Sequence, residues 1–330
     1  MKRLLLLPVL LAFASAPRAE TYGDRDDVRA FVEEMHDRHG FDAAHLLGLF
    51  RQTKPIAAVI KAIMPPRDPA VRSWTAYRER FVEPKRIAAG RRFMHAHATE
   101  LAAAEVRFGV PAEVIAAIIG VETIYGKHMG RFGTFATLTT LAFDYPPRAE
   151  LFRRELEELL LLAREEHRSP LAYTGSYAGA LGLPQFLPSS RRRFAIDFDH
   201  SGRIDLTASA ADAIGSVANF MAGHGWERDA PIAVVVTVAG DGVQALIDEG
   251  ISPQRKPWQL QAANVSLARV DAGDTALADR PAALIDLVTP GAATEYRLGY
   301  NNFYVITRYN RSSFYAAAVM DLAAALRDSK

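Results

Sequence analysis

One carboxylate in the sequence has apolar neighbours on its own helix face. In the segment 110–126, helical spacing places Glu122 beside Ile118 and Ile119. Burial in such surroundings disfavours the ionised form and raises the pKa of a carboxyl, which then holds its proton near neutral pH. A protonated carboxyl is what a general acid needs. The alternative is a glutamate at the rim of the helix that faces water or an arginine.

Glycoside hydrolysis usually pairs such an acid with a second carboxylate about 5–10 Å away. Asp144 and Glu150 are the nearest downstream acids, and neither has an apolar helical setting like that of Glu122. The spacing therefore indicates acid–base chemistry at Glu122 and identifies no partner for it.

The segment 197–205 matches the first half of a calcium loop. It has oxygen-bearing side chains at loop positions 1, 3, 5 and 9 and Gly202 at position 6, where the chain turns sharply. Position 12, normally a glutamate, is Ala208, and Asp212 follows four residues later as a substitute. The alternative is a turn rich in aspartate and glycine that satisfies its own backbone hydrogen bonds. The pattern leaves both readings open.

Aromatic residues form two groups. Tyrosine rings offer the stacking faces and hydroxyls that a sugar-binding groove requires, although packing within strands is the commoner role. The C-terminal group consists of Tyr296, Tyr300, Tyr304, Tyr309 and Tyr315. Trp74, Tyr77 and Phe81 lie at helical spacing, which is typical of core packing.

Composition excludes several function classes. The 330 residues are 49% hydrophobic, with 39 basic and 38 acidic side chains, so charge gives no argument for nucleic acid or an anionic membrane surface. The absence of cysteine excludes disulfides, thiolate catalysis and cysteine-ligated metals. The nine histidines show no metal-ligand spacing, and there is no phosphate-binding loop, dinucleotide fingerprint or serine nucleophile elbow.

The elements that must position these residues are mostly helical. Apolar periodicity predicts helices over 26–36, 43–50, 54–63, 73–81, 84–108, 134–141 and 147–167. In 110–126, Pro111 fits a first helical turn and Gly126 offers an end. After Trp226, β-branched runs predict strands over 232–238, 265–270, 283–288 and 302–308, with a short helix over 241–250 and a closing helix over 312–327. The predicted fold class is α+β, mainly α.

The N-terminus has the features of an export signal. Lys2 and Arg3 precede an apolar run over 4–13 that is too short to span a bilayer, and small residues follow. We expect a signal peptide over 1–20 and a periplasmic mature chain without a transmembrane segment. A lipid anchor on cysteine is excluded because the sequence has none.

Four motifs closely resemble the lytic murein transglycosylase B family. They are the segments 120–126, 175–189, 212–219 with 224–226, and 302–310, and the likeness runs in order from about residue 24 to 326. The resemblance implies a lysozyme-like catalytic core with an N-terminal α domain and a small β-containing domain around a peptidoglycan groove. It implies domains at 21–109 (α-helical), 110–229 (catalytic core) and 230–296 (small α+β), with 297–330 returning to the core.

Enzymes of this family cleave the bond between N-acetylmuramic acid and N-acetylglucosamine without water and leave a 1,6-anhydromuramoyl end. By resemblance, Glu122 matches the single catalytic acid/base. The residues that match the substrate groove are Ser176, Gln185, Arg148, Phe220, Tyr309, Asn310 and Tyr315. Those that match the family's calcium loop are Asp197, Asp199, Ser201, Arg203 through its carbonyl, and Asp212.

The sequence departs from the family at three places. Pro147 stands where a second arginine is common, Phe220 stands where the family has a tyrosine, and Ser201 stands where a carboxylate is expected in the calcium loop. The loop also has one extra residue before Asp212. These departures put a stem-peptide contact, a groove hydroxyl and calcium affinity in question.

The resemblance also accounts for the missing second carboxylate. The muramoyl C6 hydroxyl attacks C1 within the same sugar, and such an internal nucleophile gains greatly from proximity. The chemistry requires no cofactor, and a calcium ion would be structural. The expected partners are peptidoglycan glycan strands and other cell-wall enzymes. The alternatives are a lysozyme-type hydrolase (muramidase) and a non-catalytic peptidoglycan-binding protein.

Overall fold

The computed structural model describes residues 21–65, 72–238, 240, 242–261 and 279–327. The predicted signal peptide at 1–20 and the predicted strand at 265–270 lie outside the described residues. None of the helices within the described ranges is long and apolar enough to cross a membrane. The contacts divide the chain into two units, Met1–Ile56 and Ala57–Lys330, which are described in turn.

The described part of the first unit is a pair of helices. A 3-10 turn at Tyr22–Asp24 leads into α1 (Asp26–His39) and α2 (Ala43–Arg51). α1 ends at Gly40, whose left-handed backbone (φ 68°) costs little without a side chain. Asp42 caps the first turn of α2 with its carboxylate. The buried side chains between them are Val28, Phe31, Val32, Met35, Leu46, Leu49 and Phe50.

The second unit opens with a series of helices. They are α3 (Ala57–Ile63), α4 (Trp74–Phe81), α5 (Pro84–Ala96), α6 (Ala98–Phe108), α7 (Ala112–Thr123), α8 (Thr134–Asp144), α9 (Ala149–Glu165), α10 (Pro188–Phe194) and α11 (Ala210–Gly223). The single helix predicted over 84–108 is wrong, because the backbone leaves helical geometry at His97 (φ −123°, ψ 32°). The helix predicted over 147–167 begins later, since a 3-10 turn at Pro146–Arg148 precedes α9.

Two short strands hold the loop that carries the second sequence motif. β1 (Phe132–Gly133) and β2 (Thr174–Gly175) pair in antiparallel register, with Phe132 opposite Gly175. A Cβ on Gly175 would lie 2.2 Å from the carbonyl oxygen of Ala180, so only glycine fits this close approach.

The C-terminal part of the unit contains a small antiparallel sheet. Its described strands are β3 (Ala233–Val236), β4 (Ala283–Leu287) and β5 (Glu295–Gly299), in the order β3-β5-β4. Two short helices, α12 (Val243–Asp248) and α13 (Pro257–Gln261), precede β4. The strands predicted over 232–238 and 283–288 and the helix over 241–250 are confirmed, whereas β5 was not predicted.

The strand predicted over 302–308 is wrong, because Asn301–Ile306 form a helix, α14. The side-chain oxygen of buried Asn302 accepts the N–H of Glu227 at 2.9 Å. Its amide donates to the carbonyls of Glu227 and Ala230 at 2.8 and 3.1 Å. These bonds satisfy a buried polar side chain at the start of a helix and outweigh the strand preference of the β-branched residues that follow.

α7 is enclosed on all sides. It packs against α5, α6, α11 and the closing helix α15 (Ser313–Arg327). Every residue from 114 to 121 is buried, as is Thr123. A helix that is apolar all round is expected inside a core, so the apolar face indicated by the spacing extends around the whole helix. Glu122 therefore stands at the C-terminal end of a central core helix.

Candidate active site

The carboxyl of Glu122 is hydrogen-bonded to a tyrosine. Tyr315, near the start of α15, donates a 2.6 Å hydrogen bond from Oη to Oε1 of Glu122. Burial raises the pKa of Glu122 to about 7, and the bond from Tyr315 lowers it by less. Glu122 keeps part of its surface exposed, so a substrate can approach the group. At neutral pH the carboxyl is thus divided between its protonated and ionised forms.

Three tyrosines lie near enough to this carboxyl to be affected by its charge. Tyr77 comes from α4, Tyr309 from the turn after α14, and Tyr315 from α15. Burial, followed by the negative charge of Glu122, raises the pKa of each phenol. The hydroxyls therefore remain protonated, and each keeps a proton to donate. The rings of Tyr309 and Tyr315 are stacked, with centroids 6.3 Å apart and planes 13° apart.

Tyr309 is held in place by a hydrogen bond and by contacts with two phenylalanine rings. The Tyr309 hydroxyl donates to the carbonyl of Pro184 at 2.5 Å. The ring of Phe220 lies 4.8 Å from that of Tyr309, and Phe186 lies 5.8 Å away. Phe220 is only 5% exposed and also contacts His224 at 4.1 Å between ring centroids. Phe220 therefore supports Tyr309 from inside the core, where a tyrosine hydroxyl would need a buried partner.

The end of α7 is a strained turn. Ile124 (φ 51°, ψ 54°), Tyr125 (φ 55°) and Gly126 (φ 89°) are all left-handed. Such a conformation costs about 1–2 kcal/mol for a residue with a side chain. α7 ends at Thr123, with the N–H of Ile124 on the carbonyl of Gly120, so the prediction that Gly126 ends the helix is wrong.

Ser176 and Gln185 lie on one loop, 175–187, which follows β2. The Ser176 hydroxyl accepts the N–H groups of Ala178 and Ala180 at 3.3 and 3.1 Å, which leaves its own proton to be donated. Gln185, with φ 51°, donates its amide to the carbonyls of Gly182 and Met129 at 2.8 and 3.2 Å. Its side-chain oxygen remains available as an acceptor.

Thr123 connects this loop to α7. Its hydroxyl donates toward the carbonyl of Leu183 at 3.0 Å and accepts the N–H of Gly126 at 3.0 Å. Glu122 and the segment that contains Gln185 are therefore joined through the residue next to Glu122.

Two of the expected groove residues lie apart from this cluster. Arg148 is exposed in the 3-10 turn before α9, with its guanidinium 5.3 Å from the centre of the Phe152 ring. Asn310 is exposed in the turn before α15 and uses its carbonyl to accept the N–H of Ser312. Within the described part of the chain, no hydrogen bond or ion pair links either side chain to Glu122.

A second buried carboxyl, Glu155 on α9, serves a different purpose. Burial raises its pKa as well, but its two oxygens accept the N–H and hydroxyl of Ser189 at 3.0 and 2.7 Å. Ser189 lies in the first turn of α10, so Glu155 satisfies the N-terminal end of a helix. A raised carboxyl pKa alone therefore does not identify the catalytic group.

The predicted calcium loop brings its acidic residues together. Carboxylate oxygens of Asp197, Asp199 and Asp212 lie within 4.8 Å of one another. The Ser201 hydroxyl donates to the carbonyl of Arg203 at 3.1 Å and lies near Asp197. All five predicted ligand residues are therefore in one loop system with oxygen donors of the kind that Ca²⁺ prefers.

The same oxygens also accept hydrogen bonds within the protein. Asp212 is fully buried and accepts the N–H groups of Phe198 and Asp205 at 2.8 and 2.7 Å. Asp197 accepts those of Ser201 and Gly202 at 2.9 and 2.8 Å. The loop is thus organised by its own backbone hydrogen bonds. Its geometry fits a calcium loop and also a turn that satisfies its own hydrogen bonds.

A cavity of about 970 Å³ lies between the end of α9, α10 and the loop 197–212, and Glu122 does not line it. Its charged lining residues balance, with Arg168, Arg191, Arg192 and Arg203 against Glu165, Glu166, Asp197 and Asp205. Two of these pairs, Arg191 with Glu166 and Arg192 with Glu165, are each 2.7 Å apart. This cavity is therefore separate from the buried carboxyl of Glu122.

Sequence reasoning missed two residues beside Glu122. Tyr77 shares the helical spacing of a core face, and only the packing of α4 brings it near Glu122. Tyr125 occupies a slot formed by Gly90 and Gly120, where a Cβ on either glycine would lie 2.2 or 2.4 Å from its hydroxyl. Glycines at these two helix positions were the available signal.

Comparison with known proteins shows a family match over nearly the whole chain. The family model described as Transglycosylase SLT domain matches residues 23–324. Membrane-bound lytic murein transglycosylase B of Escherichia coli K12 is 36% identical over 324 residues, which cover 92% of this chain and 84% of that protein.

The solved structures similar to this chain are also lytic transglycosylases. Soluble lytic transglycosylase SltB1 from Pseudomonas aeruginosa is 43% identical, with a TM-score of 0.82 over 91% of this chain and 98% of that one. Escherichia coli lytic transglycosylase Slt35 in complex with calcium is 35% identical, with a TM-score of 0.79 over 92% of this chain and 93% of that one. SltB3 from Pseudomonas aeruginosa, in complex with NAG-anhNAM-pentapeptide, is 28% identical, with a TM-score of 0.78 over 92% of this chain and 79% of that one. The predicted α+β, lysozyme-like fold class is confirmed.

Proposed function

The chain belongs to the Transglycosylase SLT domain family and is a peptidoglycan lytic transglycosylase, and we propose that Glu122 is its only catalytic acid/base. In this proposal the enzyme cleaves the β-1,4 bond between N-acetylmuramic acid and N-acetylglucosamine and leaves 1,6-anhydromuramoyl ends. The complex of SltB3 with NAG-anhNAM-pentapeptide supports this product, because that relative binds the anhydro form of the sugar.

The observation that carries the proposal is the isolation of the Glu122 carboxyl. Its pKa is raised to about 7 by burial, and Tyr315 is the one group that hydrogen-bonds to it among the described residues. No second carboxylate in the described ranges perturbs that pKa. A hydrolase of the usual kind needs two carboxylates, whereas a reaction with an internal nucleophile needs one.

The proposed steps conserve atoms and protons. Protonated Glu122 donates its proton to the glycosidic oxygen as the bond from that oxygen to C1 of the muramoyl sugar breaks. The C6 hydroxyl of the same sugar then forms a bond to C1 and gives its proton to the Glu122 carboxylate. The acid is regenerated, no water is consumed, and the Tyr315 hydroxyl stabilises the carboxylate between the two steps.

The remaining site residues are assigned to the substrate groove. Ser176, through its free proton, and Gln185, through its side-chain oxygen, orient the reacting sugar. Tyr309 and Tyr315 line the site at Glu122, and Phe220 holds Tyr309 in place. Exposed Arg148 and Asn310 contact more distant parts of the glycan or its peptide.

We further propose a structural Ca²⁺ on the loop 197–212, held by Asp197, Asp199, Ser201, Asp212 and the carbonyl of Arg203. The clustered carboxylate oxygens support it, and so does the calcium complex of the relative Slt35. We also propose that the protein acts in the periplasm, where its expected signal peptide would deliver it to the glycan strands.

Clearance of purified cell walls tests the role of Glu122. We expect Glu122→Gln to remove all clearance while the fold is unchanged. The control is Glu113→Gln on the same helix, where the carboxylate pairs with Arg327 at 3.1 Å far from the helix end that carries Glu122. Clearance by pure Glu122→Gln protein would refute the assignment. Binding without clearance by the unaltered protein would favour a non-catalytic binder.

A further inference from the structure

The turn after Glu122 adopts a conformation that side chains normally avoid. Ile124 and Tyr125 are both left-handed, with φ of 51° and 55°, and neither is a glycine. Strained backbone of this kind persists only where the surrounding structure enforces it, and it concentrates at functional sites. Some feature of the packing must therefore hold this turn.

The Tyr125 side chain is that feature. Its ring enters a slot between α5 and α7 that exists because Gly90 and Gly120 have no side chains. A Cβ would lie 2.2 Å from the Tyr125 hydroxyl at Gly90 and 2.4 Å at Gly120. The Phe93 ring closes the slot, with its centroid 5.2 Å from that of Tyr125.

Packing rather than hydrogen bonding keeps the ring there. The Tyr125 hydroxyl is buried and has no hydrogen-bond partner among the described residues. Leaving a buried hydroxyl unpaired is unfavourable, so the hydroxyl does not explain why the ring occupies the slot. The shape of the ring and of the slot does.

This turn also fixes the residues on either side of it. The N–H of Gly126 donates to the Thr123 hydroxyl at 3.0 Å, and the N–H of His128 donates to the Thr123 carbonyl at 2.9 Å. The same hydroxyl contacts the Leu183 carbonyl at 3.0 Å. A ring seated in its slot thus determines where the last turn of α7 stands against the loop 175–187.

We propose that Tyr125 is a positioning residue for the transglycosylase reaction, whose ring locks the left-handed turn that holds Glu122 in place. This inference rests on the role proposed for Glu122. Tyr125 acts through the backbone of the turn. A change at Tyr125 therefore leaves the tyrosines near the carboxyl, Tyr77, Tyr309 and Tyr315, in place on their own helices and turn.

Steady-state kinetics of Tyr125 variants test the inference. We expect Tyr125→Phe to keep kcat, KM and the pH profile, because the hydroxyl is unused. We expect Tyr125→Leu to lower kcat at least tenfold with KM changed less than threefold. It should also shift the alkaline limb of the pH profile, where activity falls because Glu122 loses its proton. Gly120→Ala, which displaces the ring from its slot without altering it, should have the same effect.

The matched control is Phe135→Leu, which removes a buried ring from α8 in the same unit. If Phe135→Leu at a similar loss of melting temperature lowers kcat and shifts the pH limb as Tyr125→Leu does, the role is merely structural and the inference fails. It also fails if folded Tyr125→Leu has the kcat and pH profile of the unaltered enzyme. Should Tyr125→Leu not fold, Gly120→Ala decides by the same criteria.

Amide hydrogen exchange separates this inference from the proposed function. We expect the amides of residues 123–128 to exchange at least tenfold faster in Tyr125→Leu than in Tyr125→Phe, whichever group catalyses the reaction. If Glu122→Gln is active while exchange rises as expected, the catalytic assignment fails and the locked turn stands. If exchange is unchanged, the locked turn itself is wrong.

Discussion

Tyr315 and Glu122 are 193 positions apart in sequence, yet a 2.6 Å hydrogen bond joins the phenol to the carboxyl. The bond stabilises the ionised carboxyl, while burial of the same group destabilises it. The balance leaves the pKa at about 7, where one group can donate a proton and then accept one.

The pH profile should therefore have an alkaline limb that belongs to Glu122. Activity is expected to fall as pH rises through about 7, because the proton required for the first step is lost. Tyr315→Phe removes a bond that favours the ionised form, so the limb should move upward by about one pH unit. The measurement is kcat/KM against pH.

The control for that shift is Tyr173→Phe. Tyr173 donates a 2.7 Å bond to Glu166, which is a tyrosine–glutamate bond of nearly equal length elsewhere in the unit. Its loss should leave the limb where it is. A limb that moves downward in Tyr315→Phe, or equally in both variants, would contradict the assignment.

Stability should depend on pH through the same group. The pKa of Glu122 is about 7 in the folded protein against an ordinary value of 4.5, so the folded state binds the proton more tightly. The resulting stabilisation is fully present below pH 4.5 and is lost as pH rises through about 7. Melting temperatures of Glu122→Gln relative to the unaltered protein should therefore increase across this window. A constant difference between the two proteins would show that Glu122 does not titrate there.

Calcium should stabilise the protein through the loop 197–212. Saturation at about 100 times the Kd contributes about 2.7 kcal/mol, which corresponds to a rise in melting temperature of roughly 5 °C or more. EDTA should reverse the rise and Asp199→Asn should abolish it. Asp248→Asn, outside the loop, should respond like the unaltered protein. No shift at millimolar Ca²⁺ would make the loop a turn held by its own hydrogen bonds.

Phe220→Leu should affect substrate binding more than the chemical step. Loss of the ring removes support from Tyr309 and should lower the free energy of unfolding by about 1–2 kcal/mol. Since the ring contacts of Phe220 are with Phe186, Phe194, His224 and Tyr309, we expect a several-fold rise in KM with kcat within about twofold. Denaturant unfolding and steady-state kinetics measure the two effects. A fall in kcat alone would place Phe220 closer to the chemistry than its burial indicates.

The sequence predicted most of the helices and the setting of Glu122 because both depend on local periodicity. Apolar residues at helical spacing recur through α5 to α11, and the same spacing indicates a carboxyl whose ionisation is disfavoured. The pattern does not predict the end of α5 at His97, because apolar residues at helical spacing continue across it. Asn301–Ile306 was misassigned because β-branched composition outweighed one buried asparagine whose partners lie about 75 residues earlier.

The surroundings of Glu122 depend on packing between distant segments and were not predictable from spacing. Tyr77 comes near the carboxyl only because α4 packs against α15, and its spacing is that of an ordinary core face. Tyr125 depends on glycines in two different helices. Local pattern therefore indicates which group is perturbed, and tertiary structure decides which groups act on it.

The most direct test of the proposed reaction is the chemical form of the muramoyl ends released from purified sacculi, analysed by mass spectrometry in water labelled with heavy oxygen. The proposal predicts 1,6-anhydromuramoyl ends, each lighter than a reducing end by one water molecule and free of the label. Reducing ends that carry heavy oxygen would show that water is the nucleophile, and would contradict a mechanism in which Glu122 acts alone on an internal hydroxyl.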